Sequence, residues 1–195
     1  MRWAEGLFDA FMYPLEAVSL NRRRRERMRG VSGTVLEIGA GTGANLKFYR
    51  YDQINQLHLS DLKLTTSVRS PHRTNGAELI FHELDVQDLP FDDGQFDTVV
   101  FSLVFCSVPD PARGLAEVYR VLRPGGVLVF IEHVRPQAGL LRAAVEALNP
   151  AWRALNGECN INRDTIGAIR TAGFTIDEVR VGGRGLLVDG IARRE

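Results

Sequence analysis

The sequence has 195 residues, of which 45% are hydrophobic, and its 24 basic residues balance 24 acidic ones. This length suits one domain with its own hydrophobic core, and the zero net charge argues against a nucleic-acid binder that works by bulk attraction. Two cysteines are too few for a disulfide framework or a zinc cluster, and the four histidines show no ligand spacing, so we expect no metal.

The first thirty residues predict an amphipathic helical segment followed by a basic stretch. Apolar side chains recur at helical spacing from Trp3 to Val18, and arginines crowd residues 22–29. The helix can pack as core or form a lid, with Tyr13 near cofactor and acceptor; a mobile segment would favour an anionic membrane surface. With no signal peptide or membrane-spanning apolar run, we expect a cytoplasmic protein with at most peripheral membrane contact.

From residue 33 onwards, predicted strands alternate with predicted helices. Strands are expected over 34–38, 54–59, 79–84, 96–104, 127–131, 174–181 and 186–192, and helices over 44–49, 111–122 and 164–172. This alternation is typical of a Rossmann-like α/β fold, in which helices cover both faces of a mostly parallel sheet. Ligands bind beyond the carboxyl ends of such strands, so the residues directly after each strand are candidate site residues.

A glycine loop from Glu37 to Gly43 follows the first predicted strand. The spacing Gly39-x-Gly41-x-Gly43 lets the backbone turn sharply and approach a ligand at Ala40 and its neighbours. It differs from the G-x-G-x-x-G fingerprint of dinucleotide-binding proteins. Glu37 would sit poorly beside a pyrophosphate but suits a ligand that carries an ammonium and a sulfonium.

Two further acidic residues follow the next two strands. Asp61 can accept hydrogen bonds from both hydroxyls of a ribose, with Leu62 against the adenine; a turn or helix-capping aspartate is the alternative. Asp85 can accept from the adenine amino group while the Val86 N–H reaches a ring nitrogen. Asp88 competes for this role, and we favour Asp85. With the glycine loop, these positions predict S-adenosylmethionine as the ligand.

Four segments resemble class I S-adenosylmethionine-dependent methyltransferases. They are Leu36–Gly43, Asp88–Phe91, Phe96-Asp97 and Val121–Gly126. The resemblance covers about residues 33–135. It implies a seven-stranded sheet with an antiparallel last strand, methyl transfer from S-adenosylmethionine, and S-adenosylhomocysteine as product. Asn45 and Ser102 complete the predicted cofactor contacts.

A closer similarity links the chain to methyltransferase-like thiol S-methyltransferases and to bacterial phospholipid N-methyltransferase-like proteins. The matching segments are 43–49, 103–108, 132–134, 149–152 and Cys159-Asn160. This similarity implies a thiol or a lipid amine as acceptor. A quinone or natural-product C- or O-methyltransferase is the alternative, and a dinucleotide-dependent oxidoreductase is disfavoured. Membrane-bound relatives carry a long apolar N-terminal anchor that this sequence lacks, so we do not expect integral membrane attachment.

Candidate residues for the chemistry follow the fourth and fifth strands. His133 is the best candidate for a general base and an acceptor contact, and a structural histidine is equally compatible with the sequence. Glu132 can orient that imidazole or cap a strand. Cys106 lies where the methyl group is expected. It can line the pocket as an apolar side chain or tune the chemistry of the pocket, and we favour the lining role. Arg163 can reach an anionic acceptor or stay at the surface.

These assignments divide one domain into three parts. We expect residues 1–30 to form an amphipathic helical lid, residues 33–135 to bind the cofactor, and residues 136–195 to supply acceptor-side helices and closing strands. The expected partner is a small-molecule or lipid acceptor, with no nucleic acid.

Overall fold

Seven strands form one sheet in the computed structural model, which describes residues 20–70, 74, 76–155 and 159–195. They are β1 (Gly33–Ile38), β2 (Ile54–Asp61), β3 (Glu78–Glu83), β4 (Phe96–Ser102), β5 (Leu122–His133), β6 (Phe174–Gly182) and β7 (Leu187–Arg194). Their order is β3-β2-β1-β4-β5-β7-β6. β7 runs antiparallel to both of its neighbours, whereas β1 to β5 are parallel. The predicted sheet with an antiparallel last strand is confirmed.

Four α-helices accompany the sheet among the described residues: α1 (Asn21–Met28), α2 (Pro111–Val121), α3 (Gly139–Leu155) and α4 (Thr165–Thr171). α2 starts after Asp110, whose carboxylate accepts a hydrogen bond from the Arg113 N–H at 3.0 Å. Asp164 caps α4 in the same way, through the Gly167 N–H at 2.9 Å. None of the described helices is both long enough and apolar enough to cross a membrane.

Neighbouring residues of the central strands supply two separate cores, because successive side chains of a strand point to opposite faces. One core contains Leu36, Phe101 and Phe130 and is covered by α2 and α4. The other contains Val35, Val100 and Val129 and is covered by α1 and the loops after β1 and β2. Burial on both faces explains why these strands read as continuous apolar runs.

The helix predicted over 44–49 is absent. Residues 41–45 form turns, and only a short 3₁₀ helix, Leu46–Phe48, follows before a second one at Tyr51–Gln53. Tyr49 leaves the helical conformation with ψ 144°. Its hydroxyl group is hydrogen-bonded to the Glu37 carboxylate at 2.7 Å. In this segment, side-chain hydrogen bonds from Asn45 and Tyr49 to the buried Glu37 take the place of the backbone hydrogen bonds of an α-helix.

β4 ends at Ser102, two residues earlier than predicted. Leu103 adopts a left-handed φ of 58°, which is uncommon for a residue other than glycine. The next two backbone N–H groups, those of Val104 and Phe105, then donate to the Glu132 carboxylate instead of continuing a strand. β5 starts earlier than predicted, at Leu122, because Leu122 pairs with Phe96 ahead of a register shift.

The arginine-rich stretch forms α1, in which Arg23, Arg24 and Arg27 are turned towards the protein and Arg22 and Arg25 are exposed. Arg27 is 5% exposed; its Nε donates to Asp189 at 2.6 Å and its Nη1 to Glu178 at 2.9 Å. Arg23 also pairs with Asp189, and Arg24 is buried. These ion pairs hold α1 against β6 and β7, and attraction of the exposed arginines to an anionic membrane surface stays a prediction. Trp3 to Val18, including Tyr13, lie outside the described residues.

Candidate active site

The glycine loop lies at the carboxyl end of β1, where its three glycines all adopt positive φ angles. The values are 68° at Gly39, 54° at Gly41 and 81° at Gly43. A β-carbon on Gly39 would come within 2.3 Å of the Val104 Cγ2 atom, whereas one on Gly41 would meet nothing closer than 3.9 Å. Gly39 is therefore required by packing as well as by backbone conformation, and Gly41 by conformation alone.

Glu37 is a buried carboxyl group at the end of β1. It is 1% exposed and accepts hydrogen bonds from Asn45 Nδ2 at 2.9 Å and from the Tyr49 hydroxyl at 2.7 Å. Burial raises the pKa of Glu37 to about 7, against the effect of the Tyr49 and Asn45 hydrogen bonds, which lower it. The same Asn45 Nδ2 lies 3.2 Å from Ser102 Oγ at the end of β4. A row of polar groups thus runs from β1 to β4.

Asn45 provides a direct test of whether this row suits a cationic ligand group. Its Oδ1 is buried and has no hydrogen-bond partner among the described residues. A buried amide oxygen beside a carboxyl group is a good acceptor set for an ammonium, which brings three donors. The residues therefore fit the amino-acid end of S-adenosylmethionine.

Asp61 is the last residue of β2 and lies beside the glycine loop. Its Oδ2 accepts from the Gly41 N–H at 2.8 Å and its Oδ1 from the Lys63 N–H at 3.3 Å. A carboxylate offers about four acceptor sites, so two further hydrogen bonds to ribose hydroxyls are compatible with these contacts. Leu62, the next residue, is 72% exposed, which leaves its side chain available for an adenine ring.

Asp85 and Asp88 differ in how they are held after β3. Asp85 accepts from both the backbone N–H and the Nε2 of Gln87, at 2.9 Å and 3.0 Å, whereas the Asp88 side chain is exposed. Val86 is 6% exposed and packs into the core with α2. The preference for Asp85 over Asp88 stays a prediction.

Two cysteine side chains and one histidine side chain meet near the carboxyl ends of β4 and β5. Cys106 follows β4, His133 ends β5, and Cys159 follows α3; Cys159 Sγ lies 3.6 Å from His133 Nδ1. The hydrogen bond from Cys106, and then that with His133, lower the pKa of Cys159, while the same bond and burial raise the pKa of Cys106. The sequence placed Cys106 and His133 here but gave no signal for Cys159 beyond the resemblance of Cys159-Asn160.

Glu132 and Arg163 serve the backbone of this region. Glu132 Oε1 accepts from the Val104 and Phe105 N–H groups at 2.6 Å and 2.8 Å, and burial raises the pKa of Glu132 to about 7. Of the two roles predicted for Glu132, the structure shows the capping of a strand end. Glu132 and His133 are neighbours in β5, so their side chains point to opposite faces of the sheet and Glu132 does not orient the His133 imidazole. Arg163 is half-buried and its Nη1 donates to the Phe105 carbonyl oxygen at 2.5 Å, and a contact of its guanidinium with an anionic acceptor stays a prediction.

Comparison with known proteins places this site in a family. The family model described as a methyltransferase domain matches residues 36–130. The phosphatidylethanolamine N-methyltransferase of Cereibacter sphaeroides is 32% identical over 150 residues, which cover 75% of this chain and 72% of that protein. The chain belongs to the methyltransferase-domain family. Its cofactor is S-adenosylmethionine, so the alternative of a dinucleotide-dependent oxidoreductase is excluded.

Two further comparisons concern a relative named for thiol methylation and a solved structure with the same fold. Rat thiol S-methyltransferase TMT1B is 34% identical over 156 residues, 76% of this chain; the match spans only 63% of the rat protein. A chain from the complex of the Haloferax volcanii Trm112 methyltransferase activator with a methyltransferase superposes with a TM-score of 0.72. It is 19% identical, and the superposition covers 99% of this chain and 96% of that one, which shows the shared fold.

Proposed function

We propose that this chain transfers the methyl group of S-adenosylmethionine to a thiol. The observation that carries the proposal is the polar row Glu37–Asn45–Ser102, which suits the cofactor ammonium and ends four residues before Cys106. The named activity of the TMT1B relative supports a thiol acceptor. A thiol also needs less help from the protein than an amine, since its reference pKa is about 8.5.

The cofactor would lie along the carboxyl ends of β1, β2 and β3. Glu37 and Asn45 would bind the ammonium of the cofactor, and Asp61 would bind its ribose. The backbone of the loop Gly39–Gly43 would lie against the cofactor between these two contacts. Asp85, Val86 and Leu62 are the proposed adenine contacts. The bound cofactor supplies an activated methyl group, so the protein mainly positions the acceptor in line and excludes water.

The acceptor would approach from the side of Cys106 and His133. Cys106 is 1% exposed and would line the pocket. The Nδ1 atom of His133 faces Cys159, so proton uptake by His133 would fall to Nε2. Tyr13 and the helical lid over residues 1–30, a cytoplasmic location, and any peripheral membrane contact remain predictions from the sequence.

A lipid amine is the second candidate acceptor, favoured by one surface feature. Helix α3, in the acceptor-side segment, exposes Leu140, Leu148 and Leu155, with exposed fractions of 90%, 64% and 83%. Such an apolar helix face is compatible with an amphiphilic acceptor. The Cereibacter sphaeroides relative, named for phosphatidylethanolamine methylation, supports the same candidate.

Methyl transfer from labelled S-adenosylmethionine to a panel of acceptors tests the proposal. The panel contains an alkyl thiol, phosphatidylethanolamine in vesicles and a quinol precursor. We expect label in the thiol, and loss of that signal in Asp61→Ala but not in the control Asp92→Ala, an exposed residue that precedes β4 at the opposite end of the sheet. Label in the lipid or the quinol with none in the thiol would refute the thiol assignment.

The role of His133 needs its own measurement. If Nε2 accepts the acceptor proton, His133→Ala lowers turnover, most strongly at low pH where the thiol is protonated, and leaves cofactor affinity nearly unchanged. Full activity across the whole pH series would assign His133 a structural role.

A further inference from the structure

Three metal-ligating side chains converge from three distant parts of the sequence. Cys106, His133 and Cys159 each offer one ligand atom, and these atoms all lie within 4.8 Å of one another. Both cysteines are free and buried. The three segments come together because β4 and β5 are adjacent and the residues after α3 fold back onto the loop after β4. Sequence spacing could not show this group.

The geometry of the three atoms suits a tetrahedral zinc ion. Zinc binds thiolate sulfur at about 2.3 Å and imidazole nitrogen at about 2.0–2.1 Å, so S and N ligands of one tetrahedral ion lie about 3.6 Å apart. The observed Cys159 Sγ to His133 Nδ1 distance is 3.6 Å. Two sulfur ligands of such an ion lie about 3.8 Å apart, so a contraction of about an ångström or less brings the whole group onto one ion.

Hydrogen bonds to the carbonyl oxygens of Cys106 and His133 hold the segments that carry the three residues. The Cys106 carbonyl oxygen accepts from the Asn160 backbone N–H at 2.7 Å and from its Nδ2 at 3.1 Å, which ties the two cysteine segments together. The Thr165 hydroxyl reaches the His133 carbonyl oxygen at 3.4 Å. Ligands held by such a surrounding shell need little rearrangement to bind an ion.

We propose that Cys106, His133 and Cys159 form a Zn²⁺ site. Three protein ligands of the Cys₂His type leave one tetrahedral position open, as in catalytic rather than structural zinc sites. His133 is half-buried and gives the ion a route from solvent. This assignment departs from the sequence-based expectation of no metal.

The open position would take the acceptor, an extension that rests on the proposed thiol methylation. The thiol would lose its proton to solvent as its sulfur binds zinc. Its sulfur would then form a bond to the methyl carbon while the bond from that carbon to the sulfonium sulfur breaks. S-adenosylhomocysteine and a neutral thioether, a weaker zinc ligand, would leave. In this arrangement zinc, and not His133, favours loss of the thiol proton.

Metal titration of the reduced, chelator-stripped protein tests the site without any acceptor. We expect one equivalent of Co²⁺ to give a thiolate-to-cobalt charge-transfer band, and Zn²⁺ to displace it. Cys106→Ser, Cys159→Ser and His133→Ala should each weaken Zn²⁺ binding by more than tenfold, because roughly tenfold is already lost when only an outer-shell partner of a ligand is removed. The control His82→Ala, a histidine outside the cluster, should bind as the wild type does.

Binding of S-adenosylhomocysteine by each variant shows whether it is folded. A wild type that binds no stoichiometric Zn²⁺, or folded ligand variants that bind it as the wild type does, would overturn the site. A Cys106–Cys159 disulfide in the protein as purified, without Zn²⁺ binding after reduction, would also overturn it and indicate a redox pair.

The metal site and the methyl transfer can fail separately. Zn²⁺ binding without thiol methylation would leave the site in place and refute the proposed function. Undiminished thiol methylation by the zinc-free protein would refute the role of zinc in acceptor binding and leave the proposed function in place.

Discussion

In the proposed cofactor site Glu37 must be ionised to attract the ammonium, yet burial raises its pKa to about 7 in the free protein. Cofactor affinity should therefore rise with pH across neutrality. With a pKa of about 7, roughly 9% of Glu37 is ionised at pH 6 and roughly 91% at pH 8. If only the ionised form binds the ammonium, the apparent Kd falls about tenfold over this range, or about 1.4 kcal/mol.

The stability of the cofactor-free protein should move in the opposite direction. Between pH 4.5 and about 7 the folded protein keeps a proton on Glu37 that the unfolded chain has already lost. The free energy of unfolding therefore falls as pH rises through this window, by at most about 1.4 kcal/mol per pH unit for one such group. Glu132, whose pKa is also about 7, adds a second contribution of the same sign.

Calorimetric titration with S-adenosylhomocysteine at pH 6, 7 and 8 measures the first effect. Glu37→Gln keeps hydrogen-bonding atoms but cannot ionise, so its affinity should be lower at pH 8 and nearly independent of pH. Glu132→Gln, a variant of the other buried carboxyl group, should keep the pH dependence. A wild-type affinity that does not change with pH, or the same slope in Glu37→Gln, would refute the reasoning.

Three other predictions concern the ribose contact, the glycine loop and the ion-pair network. Asp61→Ala should weaken S-adenosylhomocysteine binding by roughly 1–3 kcal/mol, because a charged acceptor is lost, while Asp92→Ala, at an exposed position before β4, leaves it unchanged in the same calorimetric assay. Gly39→Ala should lower the melting temperature more than Gly41→Ala, since both force a left-handed φ but only Gly39 has a valine side chain within 2.3 Å of a new β-carbon. Asp189→Ala should lower the free energy of unfolding in urea by up to about 3–5 kcal/mol, because the buried Arg27 guanidinium loses its buried acid and keeps only the half-exposed Glu178.

Each of these three predictions has a clear contrary result. Equal binding by Asp61→Ala and the wild type would remove Asp61 from the cofactor site. A melting temperature lowered more by Gly41→Ala than by Gly39→Ala would contradict the packing argument. Arg22→Ala is the control for the ion-pair network because its side chain is 82% exposed; an effect as large as that of Asp189→Ala would show that burial does not govern these pairs.

The parts of the fold that sequence predicts well are those set by local periodicity. The apolar runs of β4 and β5 and the capped helix α2 carry strong local signals, and the structure confirms these elements with shifts of a few residues at the ends of β4 and β5. The glycine loop could also be predicted from local sequence, because its three glycines occupy positions with positive φ angles, which glycine adopts most readily.

The predictions that failed depend on contacts between distant residues. The helix after the glycine loop gives way to turns because Asn45 and Tyr49 reach back to Glu37. From the sequence alone, Arg27 of α1 is expected on a solvated helix face. In the fold it pairs with Glu178 of β6 and Asp189 of β7. No periodicity in the chain encodes either contact.

The candidate site shows the same division. Positions directly after strands could be chosen from the sequence because parallel strands present their carboxyl ends at one edge. Cys159 could not, because only the fold of the segment after α3 carries it to within 3.6 Å of the His133 ring nitrogen.

The most direct test of thiol methylation is the amount of methylated thioether formed per S-adenosylhomocysteine released, measured by mass spectrometry with an alkyl thiol as the acceptor. The proposed function predicts equal amounts of the two products from the wild type and little of either from Asp61→Ala. Release of S-adenosylhomocysteine without methylated thiol, or methylation of phosphatidylethanolamine in place of the thiol, would contradict it.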